Sequence, residues 1–438
     1  MKENNQISFN FYSGLFEQIY SITSLEAAFK AVKRNRGAPG IDGVTVEEFS
    51  RTSKHSLQEL SENVKNWRYK PKPVKRVEIP KPNGGGTRKL GIPCVIDRII
   101  QMSIKMALEP LIDPKFSNSS FGFRPGKSQA HAISLAREHV TSGREWVVDI
   151  DLSKFFDRIC HDKLVSRLKL YFDDRRVLRL IGMTLRSGIL ENGKVHPSKE
   201  GSVQGSPLSP LLSNVVLDQL DKEMEKRGHK FCRFADDVNA FVKTEKAANR
   251  VMRSLTSFIE KKMKLIVNRE KSQVSLSKGV KFLGMTIIAG TIAISKSSLD
   301  RGMERVKELT PRGTHLTIEK SIEKINRWYR GWSSYYKMTE YPAQLNKIEA
   351  HIRRRLRARF IRQQKKKRHL ARKLVKMGAN KKTTYKTIYS NKGIWALSFT
   401  NPLHKALPKS WFTQRGLFSR TEENHPHWKN KKEWIKLV

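Results

Sequence analysis

The chain has 438 residues, 38% of them hydrophobic, and its 86 Lys and Arg against 41 Asp and Glu leave a formal charge of +45. That length supports two or three units with a substantial core, and the charge calls for a polyanionic partner, nucleic acid first. No apolar run approaches the roughly 20 residues of a membrane span, MKENNQISFN has no signal-peptide core, and Cys94, Cys160 and Cys232 form no CxxC pair, which argues against a disulfide framework or zinc finger and fits a reducing compartment.

In chain order, SLEAAFKAVKRN reads as an amphipathic helix, and GAPGIDG and PKPNGGGTRK as turns. VKRVEIP and LGIP bracket the second turn, which predicts a β-hairpin with Lys81, Arg88 and Lys89 at its tip. FGFRPGKS suggests a phosphate-binding loop, but only three residues separate Gly122 from Gly126 where the P-loop needs four, so ATP binding is rejected. In WVVDIDL, residues 146–152, alternation puts Val147, Asp149 and Asp151 on one strand face and Trp146, Val148, Ile150 and Leu152 on the other. Two carboxylates therefore point the same way.

Two adjacent aspartate pairs come next, and context separates them. YFDD, residues 171–174, lies in LVSRLKLYFDDRRVLRLIGMTL, where Leu164, Leu168, Phe172, Val177 and Leu180 keep helical spacing and Arg175 and Arg176 follow directly. This predicts a turn between amphipathic helices with its acids paired locally. FADD, residues 234–237, sits between the β-prone runs HKFCRF and VNAFV, so the bend is predicted to consist of the aspartates. Two like charges crowded into a tight turn are unfavourable unless a cation or donors neutralise them, and a divalent metal does so economically. Two-metal phosphoryl transfer needs a further carboxylate, because Mg²⁺ takes near-octahedral oxygen ligands. WVVDIDL supplies it: in DLSKFFD the aromatic Phe156 stands five residues after Asp151, where a ring could sit beneath an incoming sugar, whereas counting from Asp149 puts Lys154 there.

Past about residue 295 the chain turns helical and basic. From 301 onward it holds 35 Lys and Arg against 9 acids, and His351 to Asn380 has no acid at all, so nucleic-acid contact is expected there, through Arg353, Arg354, Arg355, Arg357, Lys365, Lys366 and Lys367. No tandem repeat is visible.

The blocks RGAPGIDG, RKLGIP, FGFRPGKS, DIDLSKFFD, GSVQGSPLSPLLSN, FADD, NREKS and FLG, in that order, followed by INRWYRGWSSYY and KGIWALS, resemble the group II intron-encoded reverse transcriptase/maturase family, of the endonuclease-lacking type. The resemblance covers nearly the whole chain. It implies an α+β right-hand polymerase: fingers and palm over 1–292, a helical thumb or maturase domain over 293–385, and a small basic DNA- and RNA-binding extension over 386–438. It implies an RNA-directed DNA polymerase using two Mg²⁺ ions, with dNTPs as substrates, target DNA as primer, and intron RNA as template and splicing partner in target-primed mobility.

By the same resemblance, Asp151, Asp236 and the Leu152 carbonyl would ligate metal, and Asp237 would complete an acidic cluster. Lys81 and Arg88 would grip the triphosphate, Phe156 would be a steric gate, and Gln204 with Gly205 would line the nucleotide pocket. Lys271 would protonate pyrophosphate, and Phe282, Leu283 and Gly284 would form the primer grip. Arg124 and Lys127 are further expected nucleic-acid contacts. Trp328, Tyr329, Trp332, Tyr335 and Tyr336 either stack on bases or, for most of them, pack the thumb.

The family most often has tyrosine where Phe234 stands, which loses a hydroxyl contact. No cysteine follows Cys232 to furnish an endonuclease's zinc ligands, and the histidines of ENHPH have no cysteine partners. A lineage that borrows its primer is expected, in a bacterial cytoplasm or nucleoid and without membrane association. Two alternatives remain: a splicing-only maturase, against which the three acids speak, and a domesticated polymerase of phage defence or repair, which could look the same in every block.

Overall fold

The structure, a computed structural model, describes residues 14–80, 86–311, 313–364 and 366–423. Lys81, Lys365 and the histidines of ENHPH lie outside the described residues. The chain divides into two compact units, 1–276 and 277–438, each with its own hydrophobic core.

The strands in chain order are β1 (Val74–Pro80), β2 (Thr87–Ile92), β3 (Trp146–Ile150), β4 (Ile189–Glu191), β5 (Lys194–His196), β6 (Lys230–Phe234), β7 (Asp237–Val242), β8 (Gln273–Leu276), β9 (Met285–Ile288) and β10 (Thr291–Ile294). In the first unit they form two sheets, ordered β2-β1-β4-β5 and β6-β7-β3-β8. The predicted hairpin is β1–β2, antiparallel with Pro80 opposite Thr87. In the other sheet β3 pairs antiparallel with β7 and β8. Val148, Ile150, Phe231, Val238 and Ala240 join the core, so alternation leaves Asp149, Asp151, Asn239 and Asp237 on the opposite face.

Helix Val46–Lys65 starts at a capping box, in which Thr45 and Glu48 each satisfy the other's backbone N–H, a device that stabilises by about 1 kcal/mol. Helix Val95–Ile112 is apolar on most sides and buries Ile99, Ile100, Ile104, Leu108 and Ile112 completely. Its buried Asp97 accepts from Tyr69 Oη at 2.7 Å and from the Lys72 N–H at 3.2 Å, and burial pushes its carboxyl up to about 6. Helices His161–Leu168 and Arg175–Leu185 flank YFDD. There Asp174 caps the second helix, accepting from the Arg176 N–H at 2.9 Å, and pairs with the Arg176 guanidinium at 3.3 Å. Asp174 is thus engaged structurally.

The second unit opens with the β9–β10 hairpin and is helical thereafter, with long helices Lys296–Leu309, Ile318–Tyr335 and Pro342–Gln363. The two compact units divide before Ser277, and the backbone of the hairpin is tied to residues 340 and 344. The Ile292 N–H donates to Glu340 Oε2 at 2.9 Å, the Glu340 N–H donates to the Ile292 carbonyl at 2.8 Å, and Gln344 bonds both backbone groups of Ile294. Leu397, Leu403, Leu407 and Phe412 share one core with Ile322, Ile325, Ile352 and Leu356. Most aromatics of INRWYRGWSSYY pack. Tyr329 is fully buried and donates to Glu349 Oε1 at 2.9 Å, Trp328 and Trp332 lie against the same core, and Tyr336 is buried. Tyr335 is half exposed and donates to the Leu283 carbonyl at 3.2 Å. Among the described residues no helix is long and apolar enough to cross a membrane.

Candidate active site

Three segments meet at one end of the β6-β7-β3-β8 sheet: the residues after β3, the β6–β7 turn, and the stretch before β8. Asp149 lies opposite Asn239 and Ile150 opposite Val238, so continuing that register sets Asp151 level with Asp237 and Leu152 level with Asp236. Phe234 pairs with Asp237, which leaves Ala235 and Asp236 as the turn, Ala235 at a φ of +57°. The bend therefore does not consist of the two aspartates: the ladder closes at 234/237, the tightest hairpin closure, and Asp237 opens β7, exposed.

NREKS fixes the other wall. The Asp151 N–H donates to Ser272 Oγ at 3.0 Å, and the Asp151 carbonyl accepts from the Asn268 N–H at 2.8 Å. Since the Ser153 N–H also donates to the Ile266 carbonyl at 2.8 Å, Leu152 and Val267 form a non-hydrogen-bonded pair. The Leu152 carbonyl is thereby turned away from that strand. Lys271 Nζ stands 4.0 Å from Asp151 Oδ2.

Charge at this end is finely opposed. Burial raises the Asp236 carboxyl pKa and the Asp151 charge raises it further, while a backbone N–H, Arg88 and Arg233 lower it. Asp149, two residues before Asp151 on the same strand face, is pushed up to about 6 by burial, with a hydrogen bond from Gln273 against the shift and Asp151 adding to it. Arg88 is thus coupled to Asp236. Its neighbour Lys89 is not part of this: it pairs with Glu191 at 2.9 Å and Glu78 at 3.7 Å, because successive residues of a strand face opposite ways. Among the described residues no three His, Cys, Asp or Glu side chains are grouped so as to hold one ion. Asp237 sits on the ladder and Asp236 in the turn.

Sequence reasoning missed what holds the turn in place. Arg233 is fully buried; its Nη1 donates to the Ala235 carbonyl and to Asn214 Oδ1, each at 2.9 Å, and its Nε and Nη2 engage the buried Asp221 at 2.7 and 2.5 Å. Asn214 in turn donates to the Gly122 carbonyl at 2.9 Å. A Cβ on Gly122 would lie 2.2 Å from the Ala235 nitrogen, so FGFRPG is a packing surface for FADD. An arginine inside the β-prone run HKFCRF was the available signal, because a lone charge in a buried strand requires a partner.

Residues 79–287 match the family described as Reverse transcriptase (RNA-dependent DNA polymerase), and residues 299–378 match the Group II intron, maturase-specific domain. Protein YkfC of Escherichia coli (strain K12) is 31% identical over 305 residues, which cover 60% of this chain and 80% of YkfC. The chain belongs to the group II intron-encoded reverse transcriptase/maturase family. The family's protein LtrA of Lactococcus lactis subsp. cremoris is 34% identical over 206 residues, 47% of this chain and 34% of LtrA. The Putative COX1/OXI3 intron 1 protein of Saccharomyces cerevisiae is 31% identical over 276 residues, 63% of this chain and 31% of that protein. This reverse transcriptase/maturase chain thus spans about a third of the length of the last two.

The remaining expected site residues divide between open and engaged. Phe156 is half buried, edge-on to the core ring of Phe155 at 5.2 Å. Gln204 is half buried and its carbonyl accepts from the Gly91 N–H at 2.8 Å. Gly205, at φ +113°, would with a Cβ meet the Gly91 carbonyl at 2.6 Å, so the close approach it permits is to β2. In the second unit the Phe282 and Met285 backbones exchange both hydrogen bonds at 2.9 Å, and Leu283 and Gly284 turn between them, both at positive φ, the signature of a type I′ turn.

Among the expected nucleic-acid contacts two are corrected. Arg124 is buried, donating to both Asp113 carboxylate oxygens and to the carbonyls of Asp113, Ser117 and Ser120, which uses all five of its N–H groups. Arg357 is buried and donates twice to the Leu407 carbonyl at 3.0 and 2.8 Å; burial lowers its pKa to about 10. Lys127 lies 5.3 Å from the Phe121 ring, Arg353 is 3.7 Å from Glu349, and Arg355 donates to Thr310 Oγ1 at 2.9 Å. Arg354 stacks on Trp395, and Lys366 and Lys367 are exposed.

Proposed function

We propose that this protein copies RNA into DNA and binds its intron RNA to assist splicing, supporting intron mobility by target-primed synthesis. The observation that carries the reading is the electrical coupling of Asp236 to Asp151 at one sheet end, with Arg88 and Lys271 beside them. A carboxylate pushed up by burial, with a second carboxylate adding to the shift, favours a cation, and two carboxylates with a peptide carbonyl are the oxygen donors Mg²⁺ takes. Asp151, Asp236 and the Leu152 carbonyl would hold two such ions, with triphosphate and water completing their shells. An ion held by these residues would supply Lewis acidity to a primer 3′-OH and positive charge to the leaving pyrophosphate.

The chain's own residues do the rest. Arg88, with Lys81, would grip the triphosphate, and Lys271 Nζ would give a proton to pyrophosphate. The Phe156 ring would exclude a ribose 2′-OH, Gln204 and Gly205 would line the nucleotide, and Phe282, Leu283 and Gly284 would hold the primer. In this reading fingers and palm occupy the first 292 residues, the thumb or maturase domain 293–385 and the extension 386–438, in a bacterial cytoplasm.

An Asp236→Ala, Asp237→Ala double variant, assayed by primer extension on an RNA template with Mg²⁺ and dNTPs, is expected to lose DNA synthesis and retain RNA binding. Synthesis that persists in the variant overturns the mechanism. Wild-type protein that binds RNA but extends no primer leaves a splicing-only maturase.

A further inference from the structure

Helix Ile394–Leu397 packs on helix Pro342–Gln363 and presents an aromatic surface that no core explains. Phe399 is 64% exposed, Ile394 40% and Trp395 39%. Arg354 ties this surface to the long helix: its guanidinium carbon lies 4.0 Å from the Trp395 ring centre and 4.9 Å from that of Phe399, and its Nη2 donates to the Trp395 carbonyl at 3.2 Å. His404 stands edge-on to Phe399 at 5.3 Å, and burial together with nearby arginines lowers its pKa. Among the described residues no carboxylate pairs with Arg354, and the sequence has no Asp or Glu between Glu349 and Glu422. The rings are therefore fixed in orientation while one of them stays open to solvent.

We infer that Trp395, Phe399 and Arg354 form a stacking platform for an unpaired nucleobase of single-stranded or looped RNA. Open rings flanked by arginine suit a base, which offers a flat π-face and carries a phosphate for the cation. Charge excludes the simplest protein occupant, since a second copy of a chain bearing +45 would bring like charge to this surface. The choice of RNA over DNA rests on the maturase function proposed for this chain.

The test uses the full chain and three fluorescent probes: an RNA hairpin with an unpaired loop, a blunt RNA duplex of the same stem, and the DNA version of the hairpin. Phe399→Ala is expected to weaken binding of the looped RNA by about 5- to 150-fold, with duplex affinity and thermal midpoint unchanged, and Phe399→Trp to restore it. Unchanged affinity for the loop overturns the platform, as does an equal loss on the duplex, which would mean a general phosphate surface. A larger loss on the DNA hairpin overturns the assignment to RNA. Wild-type protein that binds none of the RNA probes removes the maturase reading itself.

Discussion

Arg233 illustrates how a single side chain is committed by its surroundings. Its guanidinium is wholly enclosed and faces an equally enclosed Asp221, and removing one partner of such a pair strands the other charge at a cost of about 3–5 kcal/mol. Its contribution to the site is positional, through the Ala235 carbonyl. Asp97 is a buried acid without a cationic partner of that quality. Burial holds its carboxyl near 6 in the folded chain, above the 3.8 it has when exposed. Folded protein therefore binds this proton more tightly than unfolded chain does, and the associated stability is present below about pH 4 and lost as pH rises to about 6. In urea unfolding at pH 4 and pH 7, the wild type is expected to lose about 2–3 kcal/mol relative to Asp97→Asn over that interval. Parallel pH profiles of the two proteins would refute the assignment.

At the level of elements, the β1–β2 hairpin sorts its cations by strand alternation. Arg88 acts on Asp236 in the first unit's active end, while Lys89 is neutralised by Glu191 and Glu78 on the other face. Steady-state primer extension should separate them: Arg88→Ala is expected to raise the KM for dNTP by roughly tenfold or more, the loss of one charge-assisted contact to phosphate, and Lys89→Ala to leave it within about twofold. Equal effects would show that the hairpin acts only through net charge. The NREKS turn works similarly as a unit, because Asn268 and Ser272 bond the Asp151 backbone and so place Lys271 beside the carboxylate.

Across the whole molecule, charge is the dominant property. An excess of +45 implies many phosphate contacts, and a protein making 6–10 of them loses about 10³–10⁵ in affinity between 50 and 200 mM salt. RNA binding measured across that range is expected to fall steeply, and a flat response would exclude phosphate contact as its main source. The buried Arg124, Arg233 and Arg357 do not join that surface. Positive charge in this chain serves two purposes: some arginines face solvent, and others hold carbonyls and carboxylates together where strands and helices end.

By itself the sequence determined the family, the β1–β2 hairpin and the alternating face of WVVDIDL, because each rests on a short ordered pattern whose periodicity sets direction within a few residues. It also indicated that Asp174 of YFDD is structural, since the partners of Asp174 include its own neighbours in sequence. Only the tertiary structure decided that the turn is Ala235-Asp236, that Arg88 and not Lys89 addresses it, that Arg124 and Arg357 are internal, and that Gly205 makes room for Gly91. The reason is common to all four. Each depends on which other segment a backbone or side-chain group meets, adjacent for the turn and distant for the rest, and an arginine looks the same in a sequence whether it will face water, phosphate or a carbonyl from another part of the chain.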